Sequence, residues 1–145
     1  MRTTTQADLA VRLRHVIARA ARRLRQEGGG ELSPSQSAAL ATIDRHGPLT
    51  PSELADRERI RRPTATRVIA FLEEAGLVAR TRDPHDGRSS IVALTPAGRA
   101  LLARARTRKD AYLARRLRDL SAEERATLDR AAAILERLLE EGGVE

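Results

Sequence analysis

The stretch from residue 49 to residue 95 constrains the fold most, because two short helical patterns are followed directly by two strand patterns. Thr50 and Glu53 have the spacing of a capping box, which predicts the start of the first of these helices. Apolar residues at helical spacing predict a second helix from Arg62 to Ala75. Gly76 follows where a left-handed residue commonly ends a helix. Two short successive helices are typical of a helix-turn-helix.

Two short strands are predicted after these helices, from Val78 to Arg82 and from Ser90 to Leu94. The turn between them, from Asp83 to Arg88, contains Pro and Gly, as hairpin loops commonly do. Two helices followed by a basic hairpin indicate a winged helix-turn-helix. A solvated surface hairpin on an ordinary α+β domain is the alternative that these residues leave open. The arginines that make the hairpin basic are Arg80, Arg82 and Arg88.

The second helix has two different sides when its residues are placed about 100° apart. Its outer side is small and polar in the first half and acidic in the second half. This layout suits entry into the DNA major groove by the N-terminal end of the helix. The side predicted to be buried consists of Ala65, Val68, Ile69, Leu72 and Ala75. The outer side consists of Pro63, Thr66, Arg67, Ala70 and Glu74, with Thr64 at the border.

Five segments carry a family resemblance: residues 49–55, 63–67, 72–78, 86–89 and 94–98. Their most specific part is an Asp-x-Arg pattern in the hairpin turn, followed by Leu-Thr-x-x-Gly. Together they resemble the MarR (multiple antibiotic resistance regulator) family of bacterial transcription regulators, and the flanking helices fit as well. The resemblance implies a mainly α fold with a small β-hairpin wing. It also implies N- and C-terminal dimerisation helices around a winged helix-turn-helix.

The turn before the second helix departs from the family pattern. Family members usually have Leu-Gly in this turn and Ser as the N-cap, whereas this chain has Glu58, Arg59 and Arg61 at those places. We therefore expect an extra helical turn between the two helices, and a cap that comes from another residue. Because arginine offers no acceptor to the free N–H groups, this helix start should be weakly stabilised in the free protein.

DNA contacts are predicted at the start and outer side of the second helix and in the hairpin. Arg61 and Arg62 are interpreted as a phosphate clamp, and Arg67 as a reader of base edges. The resemblance implies that Asp86 stiffens the wing by pairing with a nearby arginine, while Arg88 enters the minor groove. The predicted DNA-binding residues are Arg61, Arg62, Pro63, Thr64, Thr66, Arg67, Arg82, Arg88 and Ser89.

Composition and motifs point to a polyanionic partner and exclude other classes of function. The formal net charge is +7 and the pI is near 11.3, which favours nucleic acid. The chain has no cysteine, so disulfides, thiol catalysis and cysteine metal sites are excluded. No cofactor and no enzyme activity are expected, because no nucleophile motif is present. Asp83, His85 and Asp86 share one tight turn and cannot easily converge on a metal.

The N-terminal segment is basic and amphipathic, without the continuous apolar run of a signal peptide or membrane span. A helix lying on a membrane surface is an alternative on grounds of charge, although the segment lacks Trp and Phe. Together with the family resemblance, these features lead us to expect a cytoplasmic bacterial protein associated with the nucleoid and no membrane partner.

Residues 1–145 are expected to form a single MarR-like unit, with dimerisation helices at 5–32 and 96–145 around a DNA-binding lobe at 33–95. Apolar residues at helical and near-heptad spacing favour helix packing against a second chain, and an intramolecular bundle is the alternative. The predicted terminal helices run from Gln6 to Gln26, from Pro96 to Arg118, and from Ser121 to a stop at Gly142 and Gly143. A further helix is predicted to begin after Ser33 and end at Gly47, with a loop at residues 27–31 before it.

The resemblance also implies a small lipophilic or anionic effector between the first, second and fifth helices. Arg19 and Arg23 are possible anion partners there, and solvated flank charges are the alternative for both. The predicted function is a homodimeric regulator of double-stranded DNA, with repression of a pseudo-palindromic operator as the default. A DNA-binding architectural protein without sequence choice is the alternative, and the ratio of specific to random binding distinguishes the two.

Overall fold

The computed structural model describes residues 3–85, 87 and 90–140, and shows a mainly helical chain with one antiparallel hairpin. This confirms the predicted fold class. The predicted Gly142–Gly143 stop lies outside the described residues. The helices are α1 (Gln6–Glu27), α2 (Pro34–His46), α3 (Pro51–Glu58), α4 (Arg62–Glu74), α5 (Pro96–Arg118) and α6 (Ala122–Glu140). The strands are β1 (Val78–Arg82) and β2 (Ser90–Leu94).

The chain forms two compact units, the first covering Met1–Lys109 and the second Asp110–Glu145. The boundary falls within α5. The first unit holds the helix-turn-helix and the hairpin. The second unit holds the end of α5 and α6, joined by a turn that Arg125 stabilises by donating to the carbonyls of Leu117 and Leu120.

The hydrophobic core lies in the first unit, between α2, α3, α4 and the hairpin. It is aliphatic, since the whole sequence contains only one Phe, one Tyr and no Trp. Leu49 adds a link that the sequence patterns do not predict. Its N–H and C=O both bond to Val92, at 3.0 and 2.7 Å, and so join the α2–α3 connection to β2. The largest fully buried side chains are Leu40, Ile43, Leu54, Ile69, Leu72 and Val92.

Side-chain caps fix the starts of α1, α2, α3 and α6. The Ser33–Gln36 and Ser121–Glu124 boxes form with both hydrogen bonds in place. At α3 half of the predicted box forms, because Thr50 accepts from the Glu53 N–H while the Glu53 carboxylate contacts the Thr50 hydroxyl. A further box, between Thr5 and Asp8, starts α1 and was not predicted from the sequence.

The Leu-Thr-x-x-Gly pattern joins the end of α4 to the start of α5. The Thr95 N–H donates to the Leu77 carbonyl at 3.0 Å, and its hydroxyl donates to the Gly76 carbonyl at 2.6 Å. The same hydroxyl accepts from the Gly98 N–H. A Cβ added at Gly98 would lie 2.1 Å from the Leu77 carbonyl oxygen. The threonine therefore connects the two helices, and the glycine permits their close approach.

Two local expectations are wrong. The extra helical turn does not form, because α3 ends at Glu58 and Arg59 adopts the left-handed conformation with φ 53° and ψ 45°. This conformation reverses the chain in a single residue, without a further helical turn. Ala75 is exposed, because it ends α4 and lies beyond the last turn that packs on the core.

Candidate nucleic-acid interface

The two sides of α4 differ in burial as its sequence predicts. Ala65, Val68, Ile69 and Leu72 are buried, and they hold the helix against the core. Thr64 is half-buried at the border, and the outer residues are exposed. Four of the predicted DNA-binding residues, Arg62, Pro63, Thr66 and Arg67, line one open depression in the surface.

The start of α4 has no side-chain cap, so the expectation that another residue supplies one is wrong. Arg61 has the extended N-cap conformation, with φ −72° and ψ 147°, but makes no capping hydrogen bond. Pro63 has no N–H, and the Ala65 N–H bonds to the Arg61 carbonyl. The N–H groups of Arg62 and Thr64 therefore have no acceptor within the helix. These two N–H groups lie beside two exposed arginines, Arg61 and Arg62, which is where the sequence predicts a phosphate clamp.

Thr66 is exposed, but its hydroxyl donates to the Arg62 carbonyl at 3.0 Å. The hydroxyl proton is therefore committed within the helix, and what remains is a methyl group and an accepting oxygen. In the major groove these suit a thymine methyl or an amino group of adenine or cytosine. Arg67, one residue on, offers the donors that guanine accepts.

The hairpin pairs Arg82 with Ser90 and Arg80 with Val92. Arg82 is exposed, whereas Arg80 makes an ion pair with Glu73 at 3.2 Å. Asp83 accepts from the His85 N–H at 2.9 Å, so its carboxylate stabilises the turn. Three predicted residues, Asp86, Arg88 and Ser89, lie outside the described residues.

Side chains of α2 contact the last residues of α3, just before the turn that leads to α4. Thr42 donates a hydrogen bond to the Glu58 carboxylate, which turns that carboxylate towards α2. Nε2 of His46 lies 3.4 Å from a guanidinium nitrogen of Arg57. These contacts connect distant parts of the sequence, so periodicity alone could not have found them.

A cavity of about 130 Å³ lies between the end of α1, α2 and α5. These are the walls that the sequence analysis expects for an effector. Arg19 and Arg23 do not line it, and Arg23 pairs with Glu27 at 2.9 Å. Nearby, Arg106 pairs with Asp44 at 3.1 Å and so links α5 to α2. The lining includes the basic residues Arg25, Arg104, Arg106, Arg108 and Lys109 and the apolar residues Leu32, Leu40, Leu101 and Leu102.

The loop before α2 packs closely against α5. A Cβ at Gly28 would lie 2.8 Å from Lys109 Cε, and one at Gly29 would lie 2.7 Å from an Arg108 guanidinium nitrogen. Gly29 and Gly30 also have positive φ, at 118° and 64°. Positive φ favours glycine at Gly29 and Gly30, and Gly28 and Gly30 form part of the cavity wall.

The terminal helices carry apolar side chains that their own units leave exposed. Neither α1 nor α6 buries a residue in the described chain. On α1 these side chains are Leu9, Val11, Val16 and Ile17. On α6 they are Leu128, Ile134, Leu138 and Leu139.

Within the described ranges, no helix is both long and apolar enough to cross a membrane. Among these same residues, no group of three or more histidines, aspartates and glutamates is placed to hold a metal ion.

Comparison with known proteins agrees with this geometry. The profile of the MarR family matches residues 32–90. A helix-turn-helix (HTH)-type transcriptional regulator of Mycobacterium tuberculosis is 39% identical over 138 residues, which cover 94% of this chain and 96% of that protein. A MarR family protein of Bacillus stearothermophilus has a solved structure with a TM-score of 0.82 and 28% identity, covering 97% of this chain and 99% of that one.

A Staphylococcus aureus MepR variant, solved bound to an oligodeoxyribonucleotide, has a TM-score of 0.68 and 20% identity. The match covers 90% of this chain and 97% of that one. At this level of identity the likeness shows the fold alone.

Proposed function

The chain belongs to the MarR family of DNA-binding transcriptional regulators, and on that premise we propose that it is a homodimeric repressor of a pseudo-palindromic operator. Members of this family are regulators and not enzymes. The observation that carries the proposal is the exposed N-terminal half of α4. Arg62, Pro63, Thr66 and Arg67 share one open surface there, beside a helix start that lacks a cap.

DNA binding at this surface follows from shape and charge. A recognition helix enters the major groove with its N-terminal residues against the bases. The acidic residues Glu73 and Glu74 lie at the other end of α4, where they stay away from phosphate. MepR, which shares the fold, is bound to an oligodeoxyribonucleotide in its structure. We assign the phosphate contacts to Arg61, Arg62, Arg82 and Arg88, and base contacts to Thr66 and Arg67.

The proposed dimer uses the terminal helices, residues 5–32 and 96–145, around the DNA-binding lobe at 33–95. Exposed leucine, valine and isoleucine side chains on α1 and α6 support it, because a two-fold contact would remove them from water. Two lobes would then read half-sites roughly ten base pairs apart, centre to centre. Light scattering at micromolar concentration should give twice the chain mass, and a monomer would overturn this part of the proposal.

Repression follows from the size of the complex, because a bound dimer would occlude an operator from other proteins. A small anionic effector is proposed for the basic cavity between α1, α2 and α5. Its volume of about 130 Å³ lies below the roughly 300–1,000 Å³ of sites for drug-sized ligands, so the proposed effector is small. Its binding would lower DNA affinity by shifting the DNA-binding lobe.

The deciding experiment is selection of bound sequences from random duplex DNA with the purified protein. A regulator should enrich one pseudo-palindrome and bind it at least about a thousandfold more tightly than random duplex at the same salt. Enrichment of no sequence, with tight binding to every duplex, would instead support the architectural alternative.

A further inference from the structure

Thr66 is an exposed residue of α4 whose hydroxyl proton is already used within the helix. The hydroxyl donates to the Arg62 carbonyl at 3.0 Å, and the residue as a whole is exposed. A threonine in this arrangement offers a partner only its methyl group and an oxygen that can accept. It can therefore contact an apolar group or a donor, but it cannot donate to the acceptors that both purines display in the major groove.

The neighbours of Thr66 on this side of α4 decide between an apolar group and a donor. At about 100° per residue, Pro63, Thr66 and Ala70 fall within about 60° of one another, and all three are exposed. Arg62 and Arg67 fall about 40° beyond the two edges of this row, and both line the same open depression as Thr66. Thr66 thus lies in an apolar row between two side chains that only donate hydrogen bonds.

Thymine is the base whose major-groove edge matches this arrangement. Its edge carries a C5-methyl group beside the O4 acceptor. The thymine methyl group would lie against the Thr66 methyl group, and the O4 acceptor would face an arginine donor. The exocyclic amino groups of adenine and cytosine are donors. A donor fits poorly between two arginines, because neither side chain can accept a hydrogen bond.

We propose that Thr66 determines a thymine in each operator half-site, through contact between the two methyl groups. This rests on the proposed entry of α4 into the major groove, and it names the base that the contact assigned to Thr66 reads. The bond to the Arg62 carbonyl holds the threonine side chain in one rotamer. The methyl group therefore loses little further freedom when it meets the base.

The test uses the pseudo-palindrome enriched from random duplex DNA, with each thymine of one half-site replaced in turn by uracil, which lacks only the methyl group. At one position, uracil should weaken binding by the parent chain about fourfold at fixed salt, as expected when one methyl group is no longer buried. Thr66→Ser should bind the thymine and uracil duplexes of that position equally, because it lacks the methyl group. Thr66→Val keeps a methyl group without the hydroxyl and should retain the preference for thymine.

Thr107→Ser is the matched control on α5, because the Thr107 hydroxyl also donates to the carbonyl four residues earlier, that of Ala103, at 3.0 Å. It should keep the parental preference for thymine over uracil. An undiminished preference in Thr66→Ser, or its loss in Thr66→Val, would overturn the methyl contact.

An enriched operator in which no uracil replacement weakens binding would also overturn the contact between the two methyl groups. These results would leave operator recognition intact. Enrichment of no palindrome would instead overturn operator recognition and base reading by Thr66 together, so the two failures are distinguishable.

Discussion

The Arg80 guanidinium contacts the Glu73 carboxylate, with 3.2 Å between Nε and Oε2. This ion pair joins the first strand of the wing to the last turn of the recognition helix. The Arg80 and Glu73 side chains are 33% and 43% exposed, so the pair contributes only about 0.2–1 kcal/mol to the free energy of unfolding. The ion pair holds the wing against α4. It also means that the charge of Arg80 is already paired within the protein.

The first prediction is that Arg80 and Arg82 differ in their contribution to DNA binding. Arg82→Ala should make the salt dependence shallower by about 0.9 for each phosphate left without its cation, because this exposed arginine stands at the end of β1. Arg80→Ala should change the slope less, because its charge is already paired with Glu73. Titration of a labelled duplex over a range of salt concentrations measures both variants. An equal decrease in slope would show that the ion pair opens on DNA binding.

The second prediction concerns the junction between the wing and α5. Gly98→Ala should lower the free energy of unfolding by about 1–3 kcal/mol, because the new Cβ would lie 2.1 Å from the Leu77 carbonyl oxygen. Since that oxygen belongs to the backbone, no side-chain rotation relieves the clash. Urea unfolding followed by circular dichroism measures the loss. Ala97→Ser, at the exposed neighbouring position, is the control and should lie within about 0.5 kcal/mol of the parent. If the two variants have the same free energy of unfolding, the close approach of α5 to Leu77 does not require glycine at position 98.

Most of the fold could be predicted from the sequence because its helices and strands have clear boundary residues. Proline and capping pairs start α2, α3 and α5, and the observed strand bounds agree with the predicted ones. The two sides of α4 could be predicted because its apolar residues repeat at helical spacing. These signals depend on neighbouring residues, so a single sequence contains them.

The missed features depend on contacts between distant residues or on rare conformations. The Leu49–Val92 bridge and the Thr42–Glu58 hydrogen bond join separate elements, and no local pattern specifies such partners. The conformation of Arg59 could not be predicted because arginine rarely adopts positive φ, so a longer helix is the better local interpretation. In the candidate site, the exposed side of α4 could be predicted, whereas the pairing of Arg80 with Glu73 could not.

The third prediction separates base reading from phosphate contact. Arg67→Ala should relax preference at one position in each half-site, by roughly 1–3 kcal/mol, because Arg67 is exposed in the N-terminal half of α4. Arg88→Ala, in the wing, should weaken binding to every sequence and flatten the salt dependence, because it removes a cation predicted at the minor groove. Affinities for the selected operator and its single-base variants measure both effects. If both substitutions lower affinity equally on all sequences, the division into reader and wing is wrong.

The fourth prediction tests the dimer through α6. Leu128→Glu should shift the protein towards monomer at micromolar concentration, because it places a charge on an apolar side chain that is 48% exposed. The substitution should leave the unit itself folded, because it fills no core position. Ala133→Glu adds the same charge at an exposed position on the opposite side of α6, so it is the matched control. Light scattering should show the parental mass for Ala133→Glu. If Leu128→Glu dimerises with the same dissociation constant as the parent, the proposed interface is wrong.

The last prediction concerns the uncapped start of α4. Arg61 has the backbone conformation of an N-cap but no capping hydrogen bond, and its charge faces the positive end of the helix dipole. Arg61→Asp would supply an acceptor for the Thr64 N–H, since Pro63 has none to offer. The cap should add about 1 kcal/mol, and reversal of the charge about 0.3–1 kcal/mol.

Thermal unfolding of the free Arg61→Asp protein should therefore shift upwards, by roughly 2–8 °C. DNA binding should weaken sharply at fixed salt, because the substitution replaces a phosphate partner with a charge that phosphate repels. Arg61→Gln is the intermediate control, since it removes the charge without adding a carboxylate. A less stable Arg61→Asp protein, or one that binds DNA as well as the parent, would show that Arg61 is an ordinary surface residue and that no phosphate clamp precedes Pro63.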